Sequence, residues 1–215
     1  MDLLALSMPS LLRGVAVTVL LGVVSFALGF VLGGFVTLAR VSRHRVLKAA
    51  AIVYVSVFRG TPLLIQIMLV YFGLPQLGVQ IPPIPSAILT FTLYSGAYLS
   101  ENFRGGLLAV DRGQWEAAGS MGMTYGLALR RIIFPQALRV ATPAIGGRFI
   151  ALMKDTSLAS VITVVELTRV AESVGSSSFR YVEAFVTAGV VYWLINTTLS
   201  VGQEVLERRL GRAYT

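Results

Sequence analysis

Charged residues are missing from three long stretches of the chain, between Gly14 and Ala39, between Gly60 and Ser100, and between Ala184 and Gln203. Each stretch is long enough for at least one bilayer crossing, which takes about 20 apolar residues as a helix. In lipid a spanning segment must satisfy its own backbone hydrogen bonds, so long unbroken apolar runs predict helices rather than strands. The pattern places five spans at about 14–39, 49–74, 85–108, 141–165 and 184–203, in one transmembrane domain covering 1–215. The second span is expected to break at Gly60-Thr61-Pro62. The expected fold class is all-α, a polytopic membrane protein of five transmembrane helices. The longest segment outside them, about 109–140, is too short for a domain with its own core.

Composition agrees with this pattern. The chain is 55% hydrophobic and 13% charged, roughly half the charge share of a soluble protein, and its mean hydropathy is +0.77. The first apolar run extends well past a signal-peptide core, so it is expected to be retained. There are no cysteines and one histidine, which excludes disulfides, thiolate chemistry and a His/Cys zinc site. No cofactor is expected in this chain.

The formal net charge of +8 invites a nucleic-acid reading until the basic residues are placed. Arg40, Arg43, Arg45 and Lys48 follow the first span, six arginines lie from Arg104 to Arg148, and Arg208, Arg209 and Arg212 end the chain, together thirteen of 18 basic residues. The 73–85 loop has no charge, and the 166–183 loop has only Arg169 and Arg180 as basic residues. Five spans put all three basic regions on one side, so the positive-inside rule sets the N-terminus outside and the C-terminus in the cytoplasm. The predicted location is the plasma membrane, with the lipid bilayer as partner and no nucleic acid. Gly22, Gly29, Gly33 and Gly34 in the first span fit either close helix packing in lipid or ordinary glycine tolerance.

Ionisable groups within spans are costly and mark functional candidates. Asp155, beside Lys154, Thr156 and Ser157, interrupts the fourth span, where a kink would open backbone carbonyls to a polar cavity; the alternative is that the charges pair with neighbours and hold helices together. Glu101 and Arg104 lie one helical turn apart and can pair with each other. Arg59, just before the Gly60 break, has either a solute carboxylate or a structural acid as its partner.

The segment about 111–139 is organised differently. Glu116-Ala117-Ala118-Gly119-Ser120-Met121-Gly122 is a helix-compatible run of small residues, followed by Leu127 to Phe134 with Arg130 and Arg131. Pro135 is expected to stop the helix there. A short helix of small side chains can sit deep in a partner's groove and leave Glu116 to pair with a basic group; a solvated interfacial helix is the alternative.

Glu116-Ala117-Ala118, three residues, Gly122, nine residues, Ile132, one residue, Phe134 and Pro135 resembles the EAA signature of permeases of binding-protein-dependent ABC importers. Phe134 stands where that family usually has leucine. Three further segments resemble the polar amino-acid branch, for histidine, glutamine, arginine and cystine: Phe58-Arg59-Gly60-Thr61-Pro62-Leu63, Ala97-Tyr98-Leu99-Ser100-Glu101-Asn102-Phe103-Arg104-Gly105-Gly106, and Lys154-Asp155-Thr156-Ser157-Leu158.

The resemblance implies the type I importer permease fold with a cytoplasmic coupling helix. Glu116, Ala117, Ala118, Gly122, Ile132 and Pro135 would couple to an ATP-binding subunit, and Glu101, Asp155, Thr156, Ser157 and Arg59 would line the substrate pathway, with Glu101 meeting a solute amino group or a gate. It also implies two ATP-binding subunits, a second permease subunit identical or homologous to this one, an extracytoplasmic solute-binding protein, and an amino-acid substrate moved by alternating access. The outer surfaces around Pro82, Pro83 and Pro85 and around Glu166, Arg169, Glu172 and Ser173 to Ser178 would receive the binding protein.

The chain has no Gly-rich phosphate loop ending in Lys-Ser or Lys-Thr. ATP and Mg are therefore expected on the partner subunit, and this chain is expected not to be an enzyme. An intramembrane serine protease is excluded because His44 lies between Arg43 and Arg45 in the basic segment rather than beside a buried serine. The alternatives are a permease for another small solute and a secondary transporter, whose usual internal repeat is not seen.

Overall fold

The computed structural model describes residues 3–211, and every element within them is helical. Arg212, one of the basic residues of the tail, lies outside the described residues. Helix α1 (Leu3–Val41) is 39 residues long, and the expected first span falls inside it. Helix α2 (Arg45–Gly60) meets α3 (Leu63–Met68) at a sharp corner, and a π-helical turn (Leu69–Gly73) and a 3-10 turn (Leu74–Leu77) extend α3. The two arms are bent by 106°.

Pro62 causes the corner. It has no amide hydrogen to continue α2, and its ring drives Thr61 to extended backbone at φ −117° and ψ 148°. Buried Gln66 holds the corner: its side-chain amide donates to the Phe58 carbonyl at 3.0 Å, the Thr61 carbonyl at 3.1 Å and Thr61 Oγ1 at 2.9 Å. The break expected at Gly60-Thr61-Pro62 is therefore present, and sharper than a kink.

Helices α4 (Pro83–Ala109), α5 (Arg112–Ser120), α6 (Tyr125–Ala128), α7 (Phe134–Asp155), α8 (Leu167–Ser178) and α9 (Tyr181–Gly211) follow. By length and apolarity alone, α1 over Met8–Val41 and α9 over Tyr181–Arg209 can cross a membrane, and the bent pair of α2 and α3 with its extension makes a third if it is one span. Leu21, Leu63, Ile67, Phe91, Leu152 and Ile162 form the main apolar cluster, which ties α1, α3, α4 and α7 together.

The longest helix pairing is α1 on α4, and it runs through small residues. A side chain at Gly29 would strike Ser95 and one at Gly33 would strike Leu99 and Gly96, all on α4, while one at Gly22 would strike Met153 on α7 and Gly34 faces open space. Of the four glycines singled out in span one, Gly22, Gly29 and Gly33 are thus close-approach sites, and Gly34 is not.

Three expectations change. Pro135 does not stop a helix but lies in the first turn of α7, just after a π-helical turn has already departed from the α-helical hydrogen-bond register that its missing amide would have continued. The π-helical turn Leu129–Ile133 carries the chain from α6 into α7. The fourth helical segment begins earlier than expected, and its α-helix ends at Asp155, beyond which Thr156–Ile162 is a 3-10 helix. The outer segment is not an open loop either. Glu166 caps α8 through hydrogen bonds from the Thr168 and Arg169 amides at 2.9 and 2.8 Å, and Leu167, Val170, Ala171 and Gly175 line the buried face of that helix.

Candidate functional site

Helix α5 is fixed at both ends. The Asp111 carboxylate accepts the Gly113 amide at 2.7 Å, and at the other end Gly122 takes the left-handed conformation at φ +74° and returns its amide to the Gly119 carbonyl at 2.9 Å. A side chain at Gly122 would meet nothing within 4 Å, so the glycine is required by its backbone angle and not by crowding. Between the caps the helix has two faces. Glu116 and Ala117 are exposed, and Glu116 has no ion pair among the described residues. Ala118 is fully buried, and Trp115 packs on a cluster of Val110, Ile133 and Ala137.

The residues singled out in this segment divide accordingly. Glu116, Ala117, Gly122 and Pro135 reach the surface, while Ala118 and Ile132 face the protein. Two further contacts join α5 to α6 and α7. The Trp115 ring stacks on Tyr125 with centroids 5.0 Å apart and planes at 16°, and the Gln136 amide donates to Gln114 at 3.1 Å.

Glu101, deep on α4, is the centre of a charge cluster. Oε1 accepts from Arg40 at the end of α1 and lies 3.6 Å from Arg59 Nη1, while Oε2 accepts from Arg104 Nε and Nη2 at 2.9 and 2.8 Å. The i, i+3 couple with Arg104 is thus one of three contacts, and the acidic partner of Arg59 is a protein residue. One carboxylate joins α1, α2 and α4.

A second cluster closes the far end of α7. Arg148 donates to Asp155 Oδ2 at 2.8 Å, two turns along the same helix. Its guanidinium lies 4.6 Å from the ring centre of Tyr94 and 4.7 Å from that of Tyr98, and Arg59 covers Tyr98 at 5.2 Å. Such cation–π contacts gain strength where water is excluded. The Arg148 side chain is 10% exposed and that of Asp155 30%, and Arg148 Nε is buried with no hydrogen-bond partner. Thr156 is buried and donates to the Met153 carbonyl, and Ser157 donates to that of Lys154, each at 2.8 Å. Both hydroxyls therefore serve as caps for the end of α7.

The structure adds Arg40, Arg148, Tyr94 and Tyr98 to the sequence-derived residues. The charge count groups Arg148 with the arginines expected on the cytoplasmic side, although its seven-residue spacing from Asp155, across a run that is apolar up to Lys154, is a readable signal. Glu166, expected on an outer surface, is instead fully buried and accepts from Tyr192 at 2.7 Å.

The structure is thus a helical bundle with two part-buried charge clusters and an ordered charged loop. Residues 25–212 match the family described as binding-protein-dependent transport system inner membrane component, and the chain belongs to that family. It is 43% identical to the L-cystine transport system permease protein TcyB of Bacillus subtilis (strain 168), over 95% of this chain and 88% of the relative. It is 35% identical to the glutamine transport system permease protein GlnP of Escherichia coli (strain K12), over 95% and 94%. A solved structure described as an amino acid ABC transporter with histidines superposes with a TM-score of 0.92 and 36% identity, covering 97% of this chain and 99% of that one. The MetNI methionine ABC transporter in an inward-facing conformation shares the fold at a TM-score of 0.79 and 21% identity, covering 94% of this chain and 97% of that one. The chain is thus a multi-pass inner-membrane permease subunit of an ABC transporter, and ATP hydrolysis lies in a separate subunit. Membership implies ATPase subunits and a binding protein as partners.

Proposed function

We propose that this chain imports polar amino acids, that the exposed face of α5 receives the ATP-binding subunit, and that Arg148 and Asp155 meet the solute. The five spans are α1, the bent pair of α2 and α3 with its extension, α4, α7 and α9, with the N-terminus outside and the C-terminus in the cytoplasm. A second permease subunit, identical or homologous, completes the pathway, and two ATP-binding subunits drive it by alternating access.

The observation that carries this reading is α7 itself. It is one continuous helix of 22 residues, from Phe134-Pro135 beside the α5 segment to Asp155, about 33 Å at 1.5 Å per residue. Movement imposed on α5 reaches the Arg148–Asp155 pair along this one helix, which stays α-helical through its internal proline, Pro143.

The solute class follows from the charges. Arg148 and Asp155 offer one cation and one anion, and an amino-acid zwitterion presents the complement to both. The relatives named for cystine, arginine and glutamine transport support an amino-acid substrate. Glu101, already engaged by three guanidinium groups, has little capacity left for a solute amine and is better suited to hold α1, α2 and α4 in one register. Thr156 and Ser157 support the pathway by ending α7 where Asp155 is presented.

Uptake of a panel of radiolabelled amino acids tests the proposal, using vesicles containing this chain, its ATP-binding subunit and its binding protein. Saturable, ATP-dependent uptake of a polar amino acid is expected. ATP-dependent uptake of a non-amino-acid solute alone would sink it.

A further inference from the structure

We propose that Trp115 is a positioning residue that makes the coupling segment rigid, transmitting the displacement of α5 to the start of α7; this rests on the reading of α5 as the docking face. Trp115, half-buried, is the only large side chain that α5 sends inward, since the one fully buried position on that helix is Ala118. Its indole stacks on Tyr125, and the residue packs against the cluster of Val110, Ile133 and Ala137, which joins the end of α4 to the π-helical turn and the start of α7. The Gln114–Gln136 hydrogen bond is a second tie between α5 and α7. A short helix fixed to the bundle only by small residues and exposed glutamines would rotate under load, whereas a large flat ring stacked on α6 and packed on the Val110, Ile133 and Ala137 cluster resists rotation. Packing of this kind transmits displacement because close-packed side chains have little room to yield.

The test uses the assembled transporter in proteoliposomes and measures solute moved per ATP hydrolysed. ATP-binding subunit captured by the purified permease is measured in parallel. Trp115→Ala should keep capture and lower the ratio at least fivefold, and Trp115→Phe, which keeps an aromatic face, should recover it to within twofold of wild type. Tyr125→Ala, at a side chain that is largely solvent-facing, should lower the ratio at least twofold and provides the same readout if Trp115→Ala does not reach the membrane. A wild-type ratio in Trp115→Ala, or in Tyr125→Ala when that is the variant recovered, overturns the proposal. So does loss of subunit capture by Trp115→Ala that Trp115→Phe fails to restore, since Trp115 would then be part of the docking face. Glu116→Lys is measured alongside: if it keeps both capture and ratio at wild-type values, the docking reading falls and the strut falls with it. If Glu116→Lys uncouples while the Trp115 and Tyr125 variants do not, only the strut falls.

Discussion

Arg148 and Asp155 are joined at 2.8 Å across two turns of α7, with the arginine packed against the rings of both Tyr94 and Tyr98. The pair is only partly exposed, so each charge neutralises the other until a ligand competes for it. Asp155→Asn and Arg148→Met each remove one charge-assisted contact, worth about 1.5–3 kcal/mol. Each should raise the KM for uptake by roughly ten- to a hundredfold in reconstituted vesicles. Arg148→Lys should behave more like Arg148→Met than like wild type, because an ammonium lacks the planar fork that stacks on tyrosine. Unchanged KM and selectivity in all three would remove both residues from the pathway.

Glu101→Gln leaves Arg40, Arg59 and Arg104 around a neutral side chain. Removing one partner of a buried ion pair costs roughly 3–5 kcal/mol, and with the arginines 16%, 43% and 40% exposed the lower figure is expected. Thermal unfolding of the purified variant should occur several degrees below wild type. Arg104→Met should cost much less, because two arginines remain on the carboxylate.

Gly122 distinguishes a backbone requirement from a spatial one. Gly122→Asn should preserve most coupled uptake, since asparagine tolerates the left-handed region, whereas Gly122→Val should abolish most of it because a β-branched residue does not. Coupled uptake and membrane abundance measured together test this; equal loss in both variants would mean that surface contact at Gly122, and not its φ of +74°, is what matters.

Glu166 ties α8 to α9 from a fully buried position. Glu166→Ala removes a helix cap, typically about 1 kcal/mol, and strips Tyr192 of an acceptor, about 1–3 kcal/mol more. A loss of about 3 kcal/mol in unfolding free energy is expected from denaturant titration in detergent, and a loss below about 1 kcal/mol would show that the network contributes little.

The helical architecture is legible in the sequence because apolar runs and missing charges are local properties of the chain. The Gly60-Thr61-Pro62 break is legible for the same reason, since proline acts on its own neighbours. The size of the corner is not, because it depends on Gln66 reaching back to Phe58 and Thr61. Pro135 misleads because a proline ends one helix or begins the next according to how the preceding turn is built, and the π-helical turn at Leu129–Ile133 leaves no clear mark in composition. The two-faced division of α5 and the convergence of three arginines on Glu101 depend on tertiary contacts between distant segments. Arg148 is hidden among the arginines counted toward the cytoplasmic side because a charge count ignores which helix face a residue occupies.

In the proposed mechanism α5 receives force and α7 delivers it to the solute residues. The most direct test is Glu116→Lys in proteoliposomes with the ATP-binding subunit and the loaded binding protein, comparing ATP hydrolysis with and without solute. Normal membrane insertion with loss of most solute-stimulated hydrolysis and of uptake is predicted. Wild-type stimulation and wild-type coupled uptake in that variant would contradict the mechanism.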